Sequence, residues 1–461
     1  MHLVKDIFND QKSFENKDVK LKGWIRNNRA QKEFGFLDFH DGTFFNSIQV
    51  VYESKLSNFS DIQKIRVGSS VLVEGVLVLT PNMRQPFEVK ATKVTLINDS
   101  PTDYPIQPKR HSREFLREQA YLRPRTNLFQ AVFRLRSVAS MAIHEFFQNK
   151  GFIYTHTPII TANDGEGVGD MFHVTTLDLE NIQKDKDGNV DFKKDFFGKE
   201  TFLTVTGQLQ GEAYAQAFRN IYTFGPTFRA ENSHTQRHAS EFWMIEPEMA
   251  FADINDNMDI AEEMVKFIIK YVYDKLPEEM EFFNKFVDKN LKERLDIVLN
   301  KPFIRITHKE AIDILKNADA KFETIPTYES DLGTEHERYL TEKHFDAPVF
   351  VTDWPKDIKA FYMKLNDDNK TVAAMDLLVP GSGELIGGSE READIDKLLN
   401  RMKEMNVSTV GMEWYINLRK YGGAKSSGFG LGFERLIMYL TGVENIRDVI
   451  PFPRTPKNAL Y

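Results

Sequence analysis

Tyr222-Thr-Phe-Gly-Pro-Thr-Phe-Arg-Ala-Glu-Asn-Ser-His-Thr-Gln-Arg-His-Ala-Ser-Glu-Phe-Trp-Met-Ile-Glu246 sets two arginines, two histidines and three carboxylates between apolar runs. A plain folding core does not tolerate that much charge, so the stretch reads as a place where something anionic binds. Arg229 and Glu231 sit two apart, and on an extended strand both side chains point to one face. Phe242 offers a ring for stacking, and Arg237 can reach a second anionic group. A salt-bridged surface hairpin is the alternative reading.

The surrounding chain has 461 residues, which gives a length prior of about three domains, or two if one is a large α/β unit. With 41% hydrophobic and 28% charged residues it reads as soluble and globular. No apolar run approaches the roughly 18 residues of a membrane span. The start, Met1-His-Leu-Val-Lys-Asp-Ile-Phe-Asn-Asp10, has acids where a signal peptide is basic and then apolar, so a cytoplasmic location is expected. The absence of cysteine excludes disulfides, thiolate metal sites and a thiol nucleophile. Residues 1 to 110 hold 16 Lys and Arg against 13 Asp and Glu, a balance of +3, which leaves −11 for the rest of the −8 total. An acidic body with a mildly basic front argues against indiscriminate polyanion binding while allowing a local nucleic-acid surface.

Working toward the N-terminus, five short strands are expected at Val19–Arg26, Phe34–Phe39, Ser47–Tyr52, Ser70–Leu79 and Phe87–Leu96, with Asp41-Gly42 as a tight turn. Gly23 and Gly75 lie inside two of them, where a small barrel bends sharply, and the pattern suggests an OB-fold, with a β-sandwich as the alternative. The proline-rich stretch 101–125 reads as a linker between a domain at 1–100 and a second at 126–461. In the second domain a helix is expected from Leu128 to Lys150, ended by Gly151, and then a strand at Phe152-Ile-Tyr154. The Lys- and Asp-rich segment 180–200, centred on Asp187-Gly188, reads as an inserted surface hairpin. Helices follow near 257–275 and 278–290, with Ile260, Met264, Phe267, Ile268 and Tyr271 as a core stripe. Strands recur at 349–352, 361–364, 371–378 and 385–386, before a last helix at 433–440. No βαβ alternation is present, so the fold class is α+β.

Familiar nucleotide motifs are missing. Gly422-Gly-Ala-Lys-Ser-Ser427 lacks the spacing of a P-loop, and Gly428-Phe-Gly-Leu-Gly432 is no dinucleotide fingerprint. His336-Glu337-Arg-Tyr-Leu340 lacks the second histidine of a zinc protease helix.

Three segments together resemble the signatures of the class II aminoacyl-tRNA synthetases, in the subgroup of the aspartate, asparagine and lysine enzymes. The first is the helix from Leu128 with Gly151-Phe-Ile-Tyr-Thr-His-Thr-Pro158, the second is 222–246, and the third is Gly428-Phe-Gly-Leu-Gly-Phe-Glu-Arg-Leu-Ile-Met438. The resemblance spans nearly the whole chain. It implies an N-terminal OB-fold that reads the anticodon, a catalytic domain on a central antiparallel sheet flanked by helices, and a homodimer joined through the first segment. It also implies the chemistry: an amino-acid carboxylate attacks the α-phosphorus of ATP, two anions meet, and arginines with magnesium offset the repulsion. By resemblance Arg229 holds the α-phosphate and the incoming carboxylate, and Arg435 holds the γ-phosphate. The adenine lies between Phe242 and Arg435, with Glu231 on its side and Gly432 nearby, while Arg237 and His238 meet the outer phosphates. Glu384, in Asp376-Leu-Leu-Val-Pro-Gly-Ser-Gly-Glu384-Leu-Ile-Gly-Gly-Ser-Glu-Arg391, ligates Mg2+. Arg229, Glu384 and Arg435 are the catalytic set, and a carboxylate nucleophile needs no general base.

The subgroup's amino-acid side of the site falls on Glu166, Gln208, Arg229, Glu246 and Arg391. Arg391 stands where a lysine enzyme needs an acid. In the aspartate and asparagine branch that arginine binds the substrate side chain, and alone it prefers a carboxylate. Glu246 is the candidate for accepting a hydrogen bond from the amide of L-asparagine and for repelling aspartate. Ile159-Ile-Thr-Ala-Asn-Asp-Gly-Glu-Gly-Val-Gly-Asp-Met-Phe172 has three glycines in five residues and resembles the branch's mobile loop, with Glu166 closing on the α-amino group. Thr204-Val-Thr-Gly-Gln-Leu-Gln-Gly-Glu212 resembles a substrate strand carrying Gln208. On the front domain the resemblance gives Phe36 stacking the central anticodon base, Gln49 contacting it, Glu88 facing the first base, and Arg26 and Arg29 on phosphates. The implied activity is ATP-dependent attachment of L-asparagine to tRNA(Asn). A relaxed aspartate enzyme charging both tRNAs, an asparagine synthetase on the same core, and a non-catalytic tRNA-binding relative are the alternatives.

Overall fold

Along β1 (Asp18–Ala30), Val19, Leu21 and Ile25 are buried while Asp18, Lys20 and Lys22 between them face water, the period-two pattern of a strand with one dry face. The computed structural model describes residues 1–83, 85–163, 171–233 and 235–461. With β2 (Phe34–His40), β3 (Ile48–Glu53), β4 (Ser70–Leu79) and β5 (Phe87–Asn98), β1 closes a barrel in the order β1-β2-β3-β5-β4. Only β3 and β5 pair in parallel. Leu37, Phe39, Val50, Tyr52, Val71 and Val89 fill the interior. The OB-fold expectation holds, and the sandwich alternative falls with the barrel's closure. Glycine at 75 is a matter of space: a Cβ there would lie 2.4 Å from the Lys90 carbonyl oxygen, at the register shift between β4 and β5.

The chain separates into two compact units, Met1–Ala131 and Val132–Tyr461. Residues 101–125 belong with the first and include a short helix, Arg113–Glu118, capped by the Ser112 hydroxyl. In the second unit the strands are β6 (Ile153–Tyr154), β7 (Ile160–Thr161), β8 (Phe202–Leu203), β9 (Asn220–Phe228), β10 (Glu241–Ala250), β11 (Ile304–Thr307), β12 (Val349–Pro355), β13 (Thr371–Val379), β14 (Gly383–Glu390) and β15 (Ser426–Gly432). All but β7 and β8, which pair with each other, form one sheet of order β11-β12-β13-β14-β15-β10-β9-β6. Its middle is antiparallel, and the outermost pairs, β11 with β12 and β6 with β9, are parallel.

The helix Ile254–Lys275 covers β13, β14 and β15, and starts at a capping box in which Asp253 and Asp256 satisfy each other's backbone N–H groups. Its buried stripe is Met258, Ala261, Met264, Val265, Ile268, Ile269 and Val272. Ile260, Phe267 and Tyr271, expected there, sit on its half-exposed edge.

Two expected elements differ. Phe361–Lys364 is no strand: Phe361 and Tyr362 are core side chains against Leu398, Met402 and Tyr415, and a buried irregular segment reads like a strand when only its hydrophobicity is visible. The stretch from Gln208 is also no strand but the helix Gln208–Phe218, entered through Gly207. Its Ala-rich continuation favours a helix. Gly75→Val is expected to lower stability by about 1–3 kcal/mol through overpacking, read by urea unfolding of the whole chain. Gly225→Ala, whose Cβ would meet nothing within 4 Å, should stay within about 0.5 kcal/mol.

Candidate active site

β9 and β10 pair from Asn220–Met249 to Phe228–Glu241, and the chain between them forms the rim of a cavity of about 400 Å³. Arg229 lies just past β9 and extends the ladder, its N–H donating to the Ser240 carbonyl oxygen at 3.0 Å. Glu231 lies out on the connecting loop. The shared strand face expected for this pair is therefore absent, because the chain leaves the sheet after Arg229. Both residues nevertheless line the cavity, together with Gln208, Arg237, His238, Phe242, Glu246, Glu384, Arg391, Gly432 and Arg435. Glu166 lies outside the described residues.

One end of the cavity is rich in cations. The Arg229 guanidinium stands 5.6 Å from the Phe242 ring centre, and Arg237 Nη2 donates to the Ser382 carbonyl oxygen at 3.0 Å. The His238 ring meets the Thr235 hydroxyl. Arg435 follows the step from β15 into the helix Phe433–Thr441, and its Nη1 lies 3.9 Å from Glu384 Oε2. Two carboxylates converge beside these groups: a Cβ on Gly387 would lie 3.2 Å from Glu384 Oε1 and 3.4 Å from Asp376 Oδ1. Burial pushes the Asp376 carboxyl up to about 6, opposed by Lys359, whose Nζ is 2.7 Å away. Beneath them Glu337 accepts the Glu384 N–H at 3.2 Å, and burial pushes Glu337 up to about 7. Among the described residues no cluster of three or more His, Asp or Glu forms a metal cage by itself. A pair of hard oxygen donors beside arginines instead suits magnesium, which is held by one or two carboxylates plus substrate phosphates.

Elsewhere the cavity wall carries a set of hydrogen-bonded polar side chains. Gln208 opens its helix and donates from Nε2 to Glu212 Oε1 at 3.1 Å, one turn on. Glu246 accepts from the Gly207 N–H at 2.9 Å, the Thr223 hydroxyl at 3.3 Å and the Thr206 hydroxyl. Burial raises its carboxyl, and these bonds oppose the rise. Arg391, only 3% exposed, donates to Glu248 through Nη2 at 2.5 Å and Nε at 3.2 Å, and to the Ser389 hydroxyl through Nη1 at 2.8 Å. Burial, with Glu212 close by, pushes the Glu248 carboxyl up to about 7, and the charge and two bonds of Arg391 oppose the rise.

The sequence reading missed Asp376, Lys359, Glu248 and Glu212. Glu248 carried a usable signal, since it lies two residues after Glu246 and shares its strand face. So did Asp376, a lone acid in the apolar run Val372–Val379. Lys359 gave none, being on an irregular segment.

On the first unit, Arg29 lies 5.2 Å from the Phe36 ring centre and donates to Gln49 Oε1 at 3.1 Å. Gln49 Nε2 donates to Glu88 Oε2 at 3.1 Å. These four form one patch across β1, β2, β3 and β5. Arg26 stands apart, its Nη1 donating to Asn127 Oδ1 at 2.6 Å.

Residues 112–456 match the family described as tRNA synthetases class II (D, K and N), and residues 19–97 match the OB-fold nucleic acid binding domain. The chain is 63% identical to an asparagine–tRNA ligase of Acholeplasma laidlawii over 99% of both chains. It is 62% identical to one of Alkaliphilus oremlandii, over 100% of this chain and 99% of the relative. The solved structure of asparaginyl-tRNA synthetase from Pyrococcus horikoshii complexed with asparaginyl-adenylate superposes with a TM-score of 0.83 at 34% identity, covering 97% of each chain. The chain belongs to the class II tRNA synthetases of the D, K and N group, and within it to the asparagine–tRNA ligase family.

Proposed function

We propose that this chain joins L-asparagine to tRNA(Asn) in two steps, with ATP as energy source and asparaginyl-adenylate as intermediate. The observation that carries the reading is one cavity lined by Arg229, Arg237 and Arg435, by the carboxylate pair Asp376 and Glu384, and by Gln208, Glu246 and Arg391. In the first step an asparagine carboxylate oxygen attacks the α-phosphorus, the bond to the β-phosphate oxygen breaks, and pyrophosphate leaves. Arg229 bridges the two anions as they meet, and Arg435 and Arg237 hold the outer phosphates, fixed positive charge where negative charge must crowd together. Phe242 and the Arg435 guanidinium clamp the adenine, with Glu231 and Gly432 along its edge and His238 toward the phosphates. Asp376 and Glu384 would hold Mg2+, which when bound neutralises phosphate charge. In the second step the 3′-hydroxyl of the terminal ribose attacks the carbonyl carbon and AMP leaves.

At the amino-acid end Gln208 and Glu166 serve the α-amino group, and Glu246 and Arg391 the side-chain amide. The donors already bound to Glu246 fix its orientation and leave it capacity for the amide N–H. On the first unit Phe36 stacks the central anticodon base, Gln49 and Glu88 read base edges, and Arg26 and Arg29 take phosphates. A homodimer is supported by β6, the last strand of its sheet, whose Ile153 and Tyr154 are exposed. Among the described residues no helix is long and apolar enough to cross a membrane, in keeping with work in the cytoplasm.

ATP–pyrophosphate exchange with asparagine, aspartate and lysine tests the reading: exchange dependent on asparagine is expected, and its absence overturns it. Glu246→Gln removes a like charge facing an aspartate side chain. Such a pair at about 4 Å is worth about 4 kcal/mol at an effective dielectric of 20, so aspartate activation relative to asparagine should rise by up to roughly a thousandfold; an unchanged preference removes Glu246 from this role. Phe36→Ala is expected to raise the KM for tRNA about tenfold, from a stacking contribution of roughly 1–3 kcal/mol, and to leave pyrophosphate exchange intact. Loss of both would refute the division of labour between the units.

A further inference from the structure

Arg391 poses a problem for a ligase selective for an amide: a guanidinium binds a carboxylate more strongly than a neutral group. The protein sets two carboxylates against it. Glu248 takes Nη2 and Nε, and Glu212 Oε1 lies 3.8 Å from the same Nε. Glu212 is 1% exposed. Its carboxylate accepts the Tyr415 hydroxyl at 2.9 and 2.8 Å, Arg419 Nη2 at 2.9 Å and Gln208 Nε2 at 3.1 Å. Two guanidinium groups and two carboxylates thus form one buried cluster at the cavity wall, and with both carboxylates ionised their charges sum to zero. Removing either carboxylate would leave a positive charge with little solvent to screen it.

We propose that Glu212 is a specificity-determining residue: with Glu248 it balances Arg391 and Arg419, so that Arg391 offers its remaining N–H groups to a side-chain oxygen without a net positive charge behind them. A neutral amide then binds with nothing left unpaired, whereas a carboxylate brings a charge that the cluster cannot neutralise. Glu212 acts through Arg391 and Gln208 rather than by touching substrate, and it works beside Glu246, which faces the side chain directly. The inference rests on asparagine being the substrate.

The test is kcat/KM for pyrophosphate exchange with asparagine and with aspartate in the unaltered chain, Glu212→Gln, Glu212→Gln with Arg419→Gln, Arg419→Gln alone, and Tyr415→Phe, with folding followed by circular dichroism. Glu212→Gln keeps the shape and leaves one positive charge uncompensated; the aspartate-to-asparagine ratio should rise about tenfold or more, the scale of a buried charge near 4 Å after partial relaxation. Adding Arg419→Gln restores neutrality and should bring the ratio back. Arg419→Gln alone should lower it. Tyr415→Phe, which removes the hydrogen bonds to Glu212 and from Arg419 but no charge, should hold it within about twofold. An unmoved ratio in folded Glu212→Gln, a double variant as relaxed as the single one, or a shift in Tyr415→Phe as large as that in Glu212→Gln overturns the proposal. Should Glu212→Gln not fold, Arg419→Gln decides, and a ratio equal to or above that of the unaltered chain counts against the proposal. If the unaltered chain shows no exchange with asparagine, the substrate reading itself fails; exchange with an unmoved ratio refutes only the role of Glu212.

Discussion

The Glu248–Arg391 pair crosses a strand to form, and the amino-acid end of the cavity depends on that crossing. Gly428 of β15 pairs with Glu248 of β10 on one side and with Ser389 of β14 on the other. A Cβ at 428 would lie 2.4 Å from Glu248 Oε1, so any side chain there would push the carboxylate away. With glycine, the carboxylate reaches over β15 to the guanidinium, and the buried arginine finds a partner without water. An arginine left alone at this depth would cost several kcal/mol. The antiparallel middle of the sheet is thus more than a scaffold, because its register decides which charges meet.

The same sheet separates two electrostatic problems. Arg229, Arg237 and Arg435 are partly or fully exposed to solvent. Toward the Arg391 end every charge already has a partner and burial is nearly complete. Asp376 and Glu337 lie between these extremes. Their carboxyls are raised by burial to about 6 and about 7.

Much of this was legible in the sequence, for identifiable reasons. The barrel strands announced themselves because one face is wet and the other dry, so hydrophobicity alternates from Val19 to Ile25. Arg229 stood out because charge next to apolar runs is costly without a use, whereas Glu384 and Arg435 were reached through the resemblance of their segments. Gln208 was placed on a strand by resemblance alone, whereas Gly207 and the Ala-rich run behind it turn the chain into a helix. Phe361 and Tyr362 looked like a strand because burial in coil and in strand leaves the same apolar trace. Glu212 was invisible as an ion partner, since Arg391, Tyr415 and Arg419 meet it only after folding brings distant segments together. Sequence spacing reports neighbours along an element, not neighbours across a core.

The patch of Arg29, Phe36, Gln49 and Glu88 on the barrel is already satisfied in the free protein. Any planar polar ring that docks there must take over hydrogen bonds these residues now make with one another, so the patch acts as its own resident competitor. A partner that replaces each lost bond loses little by the swap. One that seals the patch from water and replaces all but one strands a polar atom, at the usual penalty of about 1–3 kcal/mol for a buried orphaned group.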